Sequence, residues 1–141
     1  MTNAIKNLFI ILVAACLLSC GKDDDAGPSK LMFVIDGKAI EVNEDEVTCF
    51  KCTLKPNGTS IWTAAYFNKD KTGFIHIEGV GGTYTNYGKE GLNHRWDYGL
   101  DSEGNYRQAF IVLPDRTGLF YDFSNAEPGE SVSPTEEFNC E

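Results

Sequence analysis

The stretch HRWDYGLDSEGNYRQAFIVL, residues 94–113, indicates most clearly how this chain folds. In its first part Trp96 and Tyr98 fall on one face and Arg95 and Asp97 on the other, which is the period of a half-buried strand. Residues 101–105 are polar and include a glycine, as turns do, and an apolar run follows them. The stretch therefore predicts two antiparallel strands joined by a tight turn.

The same pattern recurs along the chain. Asp36-Gly37 is a strong hairpin signal, because both residues tolerate the positive φ that the turn needs. With the two strands above, eight are predicted, the others being 31–35, 39–42, 47–54, 60–67, 74–80 and 119–123. Residues 79–92 are the most loop-like segment, and no window has a sustained helical period. Residues 31–141 are therefore predicted to be one all-β domain, a small antiparallel β-sandwich or barrel of about eight short strands.

The N-terminus carries a targeting signal. Leu8 to Leu18 is an apolar run of eleven residues, which is too short for a membrane span of about 20 residues but typical of a signal peptide. It ends in Leu17-Leu18-Ser19-Cys20, which resembles the lipobox of bacterial lipoproteins. The resemblance implies a signal peptide over 1–19 and a lipid attached to Cys20. The alternative is an ordinary secretory signal that contains a cysteine.

The residues after Cys20 refine the expected location. Lys22, Asp23, Asp24 and Asp25 resemble the export signal of surface lipoproteins in Bacteroidota-type bacteria, which implies an outer-membrane lipoprotein facing the exterior. The alternatives are a solvated spacer and retention on the periplasmic side. The small, Pro- and Gly-containing residues that follow complete a flexible tether over 20–30.

The first predicted hairpin extends this likeness. Phe33 to Lys38, placed shortly after the lipobox, is similar to the opening of small uncharacterised Bacteroidota lipoproteins with β-rich domains. The likeness covers the lipobox and this hairpin, and it implies a fold and a location without implying an activity.

Charge excludes one class of partner. Removing residues 1–19 takes away Lys6 and no acidic side chain, so the 12 basic and 21 acidic side chains become 11 and 21. Affinity for nucleic acid depends on lysine and arginine neutralising phosphates, and this chain has no basic stripe. A nucleic-acid partner is therefore not expected.

Three cysteines belong to the predicted domain. Cys49 and Cys52 form a CxxC pattern, but on a regular strand these positions face opposite sides, and no βαβ context supports a redox or zinc site. An exported chain is expected to hold a disulfide, with Cys140 joined to Cys49 or Cys52. Because Phe50, Cys52 and Leu54 share a face that their apolar character predicts to be buried, the sequence favours Cys49 with Cys140.

Catalytic, metal and cofactor sites are not indicated. His76 and His94 are the two histidines, and no nucleophile elbow is present. Residues 68–73 begin like a calcium loop, but two lysines lie inside it and position 12 is Gly79 in place of glutamate. Residues 68–73 are therefore predicted to be a hairpin turn. The chain is not expected to be an enzyme.

Aromatic side chains are the remaining candidate for function. Tyr84, Tyr87, Trp96 and Tyr98 are predicted to bind a ligand, a glycan or a partner protein, although such rings also fill cores. The sequence thus favours a non-catalytic binding or accessory module, anchored to the membrane by its lipid. The alternative is a structural or assembly component that partners another envelope protein.

Overall fold

The computed structural model describes residues 27–141, and its regular structure is β apart from one 3-10 turn at Glu44–Glu46. No helix in this part of the chain is long and apolar enough to cross a membrane. The predicted signal peptide over 1–19, the predicted lipid attachment at Cys20 and the charged run Lys22 to Asp25 lie outside the described residues. The strands are β1 (Lys30–Ile35), β2 (Lys38–Asn43), β3 (Val47–Leu54), β4 (Ile61–Phe67), β5 (Gly73–Ile77), β6 (Gly81–Glu90), β7 (Asn93–Leu100), β8 (Tyr106–Val112), β9 (Thr117–Asp122) and β10 (Glu136–Cys140).

Eight of these strands form a closed antiparallel barrel. Each strand from β3 to β10 pairs with the next one along the chain, and β10 pairs back with β3. Closure gives hydrogen-bond partners to the backbone groups that the edge strands of an open sheet leave unpaired. The predicted all-β class, a small sandwich or barrel, is confirmed, and β1 and β2 form an additional hairpin outside the barrel.

Two strands were missed by the sequence prediction. The segment 79–92, expected to be a loop, contains β6, the longest strand of the fold. Its glycines suggested turns, but Thr83, Tyr84 and Thr85 are good strand residues, and β6 pairs with both β5 and β7. The short, charged β10 was not predicted either.

The barrel interior is a packed aromatic core. Trp96, Phe110 and Phe138 are fully buried, and Phe50 and Trp62 are nearly so. Trp62 lies 5.0 Å from Phe138 and 5.5 Å from Phe110, measured between ring centroids. The interior is therefore filled by side chains, as expected for a barrel of eight strands.

A second apolar cluster fixes the β1–β2 hairpin to the outside of the barrel. Phe33 packs edge-on against Phe74, with ring centroids 4.9 Å apart, and Ile35 lies over Gly82. A Cβ on Gly82 would come within 2.7 Å of Ile35 Cδ1 and would also collide with the Ile75 carbonyl oxygen. Glycine at position 82 thus permits the hairpin to approach the barrel wall.

The disulfide joins Cys52 to Cys140, so the predicted pairing of Cys49 with Cys140 is wrong. Cys52 and Cys140 are directly opposite on β3 and β10, with Cα atoms 4.0 Å apart, and both face the interior. The prediction correctly placed Cys49 and Cys52 on opposite faces. It failed because it took the buried face of Cys52 as a reason against pairing, whereas Cys140 also points inward and Cys49 packs beneath the hairpin as a free thiol.

The barrel has two distinct ends. The tether end carries the connections 68–72, 91–92 and 113–116, and the cleft end carries 55–60, 78–80, 101–105 and 123–135. The Glu44 amide donates to the Ser29 carbonyl at 2.7 Å, which places the start of β1 near the beginning of β3, at the tether end. From there β1 crosses the outside of β3, β4 and β5 to reach β6, where Ile35 pairs with Gly82 in a parallel bridge.

Candidate ligand-binding cleft

Strands β6 and β7 diverge towards the cleft end. They are paired from Glu90↔Asn93 up to Asn86↔Asp97, beyond which β7 continues with β8 and β6 continues with β5. The Asp36 amide, at the tip of the hairpin, donates to the Gly82 carbonyl at 2.9 Å. The hairpin therefore occupies the edge of β6 at this point, and a gap opens between β6 and β7.

This gap is an open cleft of about 490 Å³, which we call the tyrosine cleft. Tyr84 on β6, and Leu100 and Tyr106 at facing ends of β7 and β8, are 45%, 63% and 41% exposed. The lining side chains are aromatic, aliphatic, hydroxyl or amide groups, and none is charged. The full lining is Thr83, Tyr84, Thr85, Asn86, Tyr98, Gly99, Leu100 and Tyr106.

A second, smaller depression adjoins the tyrosine cleft at the barrel mouth. It measures about 250 Å³, and aliphatic groups dominate its lining, so we call it the aliphatic lobe. Thr83 and Tyr98 belong to both depressions, which makes them adjacent parts of one surface. The lobe is lined by Ile75, Ile77, Val80, Gly81, Gly82, Thr83 and Tyr98.

Acidic side chains give the surroundings of Tyr98, at this end of the barrel, a negative electrostatic potential. Burial raises the pKa of the half-buried Tyr98 well above its usual value, and the nearby carboxylates of Asp122 and Glu136 raise it further. The Tyr98 hydroxyl therefore keeps its proton at physiological pH. It offers a ligand both a donor and an acceptor.

The turn between Leu100 and Tyr106 is held by Asp101. Its carboxylate accepts hydrogen bonds from the Asn105 and Glu103 amides, each at 2.9 Å, and forms an ion pair with Arg107. The Asn105 amide is the main cause that lowers the pKa of Asp101, with further contributions from the Glu103 amide and Arg107. The turn that joins Leu100 and Tyr106, two residues of the cleft lining, is thus held in place.

Thr85 lies where the walls of the cleft meet, and its Oγ1 has no hydrogen-bond partner within the described part of the chain. A buried hydroxyl without a partner loses hydrogen bonds that it makes in water, and this loss is unfavourable. The hydroxyl is held against Gly73, whose missing side chain leaves it room.

The structure brings together two of the four residues predicted to bind a ligand. Tyr84 and Tyr98 line the tyrosine cleft, whereas Trp96 is fully buried and donates its indole N–H to the Ala65 carbonyl at 2.8 Å. Tyr87 stacks on Tyr66, with ring centroids 4.1 Å apart, inside the barrel. Trp96 is therefore a core residue, and its prediction as a ligand contact is wrong. Tyr87 is partly buried against the core and does not line the tyrosine cleft, so its prediction stays untested.

Sequence reasoning did not assign Leu100 or Tyr106 to the site. The turn at 101–105 places them opposite each other, and that turn was predicted, so the register of this hairpin was available as a signal. Their exposure follows from the divergence of β6 from β7, which the local pattern does not reveal.

The remaining reactive side chains lie elsewhere. Burial, and secondarily Glu44, raises the pKa of Cys49 to about 11, which keeps its thiol protonated and unreactive. His94 accepts or donates a hydrogen bond with the Tyr87 hydroxyl at 2.8 Å, and burial lowers its pKa. Within residues 27–141, no group of three histidine, cysteine or acidic side chains is placed to hold a metal ion.

No protein family, curated protein or solved structure matches this chain.

Proposed function

We propose that this chain is an outer-membrane lipoprotein, anchored through Cys20 and facing the cell surface, whose β domain binds a ligand without catalysis. The tyrosine cleft is the ligand site. The observation that carries this proposal is the position of the cleft, an open and uncharged aromatic surface at the end of the barrel opposite to the tether.

The positions of tether and cleft support presentation of the site. Ser29 is held beside Glu44, just before β3 begins, whereas the tyrosine cleft lies where β6 begins and β7 ends, at the other end of the barrel. A lipid-anchored domain standing on its tether end presents the cleft away from the membrane. Together with the surface-export resemblance of Lys22 to Asp25, this favours a ligand that approaches from outside the cell.

The chemistry of the lining supports binding in place of catalysis. Tyrosine rings provide flat apolar faces with a polar edge, and Asn86 and the threonines add hydrogen-bonding groups. The described lining residues include no carboxylate, histidine or cysteine that would act as an acid, base or nucleophile. Such a surface recognises a ligand without transforming it.

A broad glycan array with the purified full chain tests this function. We expect binding to a defined group of glycans, weakened about tenfold or more by Tyr84→Ala and by Tyr106→Ala, since an aromatic contact at the centre of a site is worth more than about 1.4 kcal/mol. Tyr121→Ala is the matched control, because this tyrosine lies on β9 and stacks on Phe123, outside the cleft. A folded protein that binds no glycan, or that binds equally well in all variants, contradicts the cleft as the ligand site.

A structural role in the envelope is the second candidate. Met32 and Val34 are 60% and 44% exposed on the outward face of the β1–β2 hairpin, where a partner protein would cover them. If the protein has this structural role, replacing Met32 and Val34 by threonine would abolish its co-purification with a specific envelope protein. Tyr84→Ala would leave that association intact.

A further inference from the structure

The joined shape of the site indicates which chemical class of ligand fits it. The tyrosine cleft is open and aromatic, with about 490 Å³, and the aliphatic lobe beside it is smaller and apolar, with about 250 Å³. Tyr98 and Thr83 separate the two and contribute to both. A ligand that fills both depressions therefore needs a flat, hydroxyl-bearing part next to a compact apolar group.

We propose that the site binds a neutral saccharide that carries an acetamido group, with the sugar ring on Tyr84 and Tyr106 and the acetyl methyl in the aliphatic lobe. This inference rests on the proposed function and names its ligand class. The C–H faces of a pyranose ring match the faces of tyrosine rings, and the ring hydroxyls match Asn86 and the Tyr98 hydroxyl. The methyl gains its free energy from leaving water against Ile75, Ile77 and Val80.

Charge selects against acidic saccharides. Asp122 and Glu136 act on Tyr98, and the lining of the two depressions contains no lysine or arginine. Arg107, next to Tyr106 in sequence, is held in its ion pair with Asp101. Uronic acids and sulfated sugars would enter a negative field with no cation to receive them.

Two trisaccharides with the same β-1,4 backbone separate the acetamido group from the ring. Isothermal titration of the full chain with N,N′,N″-triacetylchitotriose, called chitotriose below, and with cellotriose compares ligands that differ only at C2, where an acetamido group replaces a hydroxyl. We expect chitotriose to bind about tenfold or more tightly, because a small apolar group placed in a fitted pocket discriminates by at least that factor.

Val80→Asn tests the aliphatic lobe directly. Val80 is 81% exposed at the turn after β5, so this substitution leaves the barrel core untouched, and the preference for chitotriose should fall to near equality. Leu92→Asn is the matched control, because Leu92 is 73% exposed at a turn on the tether end. The control should retain the full preference.

The outcomes distinguish this inference from the function on which it rests. Equal affinity for both trisaccharides, or hits on the glycan array restricted to acidic glycans, overturns the acetamido inference while the binding function stands. Absence of binding to every glycan by the folded protein overturns both. A chitotriose preference that survives Val80→Asn removes the aliphatic lobe as its cause and also overturns the inference.

Discussion

Removing the Cys52–Cys140 disulfide should destabilise the barrel severely. The bond links residues 88 positions apart in sequence, so it restricts a large loop in the unfolded chain. In the chain-entropy description, a loop of that size corresponds to about 4 to 5 kcal/mol at 25 °C. Since small domains unfold with about 5 to 15 kcal/mol, the double variant Cys52→Ala with Cys140→Ala should lose a large part of its stability.

Urea unfolding followed by tryptophan fluorescence measures this loss, because Trp62 and Trp96 lie in the core that the disulfide borders. With a urea dependence of about 1 to 3 kcal/mol per molar, the midpoint should fall by about 1.3 to 5 M. Non-reducing peptide mapping of the parent protein should find Cys52 joined to Cys140 and Cys49 unpaired.

Cys49→Ala is the matched control for this experiment. It removes the free thiol and leaves the disulfide in place, so its midpoint should shift far less than that of the double variant. A loss below about 1 kcal/mol in the double variant would refute the reasoning, since the loop entropy alone predicts several times more. A peptide map that joins Cys49 to Cys140 would refute the pairing itself.

Four further predictions concern the hairpin, the free thiol, the sorting signal and the lipid anchor. Gly82→Ala should lower the free energy of unfolding, measured by urea unfolding, by about 1 to 3 kcal/mol through overpacking against Ile35. Gly88→Ala is the control, because a Cβ at this position on the same strand meets no atom within 4 Å and should change little. Equal effects of the two substitutions would contradict the close contact between Ile35 and Gly82. Because burial raises the pKa of Cys49 to about 11, iodoacetamide should modify the native thiol at pH 8.5 about tenfold or more slowly than in urea-unfolded protein. Mass spectrometry follows that reaction, and similar rates in both states would argue against a buried thiol. Alanine at Lys22 to Asp25 should remove protease access to the domain on whole cells, and Cys20→Ser should release the chain from the membrane fraction; unchanged exposure or unchanged attachment would count against the corresponding signal.

Much of the fold was predictable from strand periodicity. The alternation from 94 to 100 placed Trp96 and Tyr98 on one face and Arg95 and Asp97 on the other, and the structure has this arrangement. The Asp36-Gly37 turn and the 101–105 turn were predicted from residues that tolerate positive φ, and both connect paired strands. These features depend on residues close together in sequence, so local reasoning reaches them.

The features that were missed depend on distant contacts. The glycines of β6 indicate turns when read locally, yet Gly82 is required because Ile35 lies over it. The pairing of Cys52 with Cys140 follows from β10 lying beside β3, which only barrel closure decides. The local pattern contains no information about that closure.

The candidate site was half predicted for the same reason. Composition identified the aromatic residues but not which of them share a surface. Tyr84 and Tyr98 lie on opposite sides of the gap between β6 and β7, and the β1–β2 hairpin occupies the β6 edge there through the amide of Asp36. Sequence periodicity orders residues within a strand, whereas this site arises between strands.

Closure of the barrel by β10 also determines when the folding chain loses its last unpaired strand edges, which are sites of aggregation. While the chain is being synthesised from its N-terminus, β3 to β9 are available before Glu136–Cys140. During that interval β3 and β9 both present bare edges, which invite pairing with other chains. Pairing between segments so far apart is also slow to form. The last strand therefore ends the period in which these edges are bare, and a chain that stops before residue 136 would keep both of them unpaired.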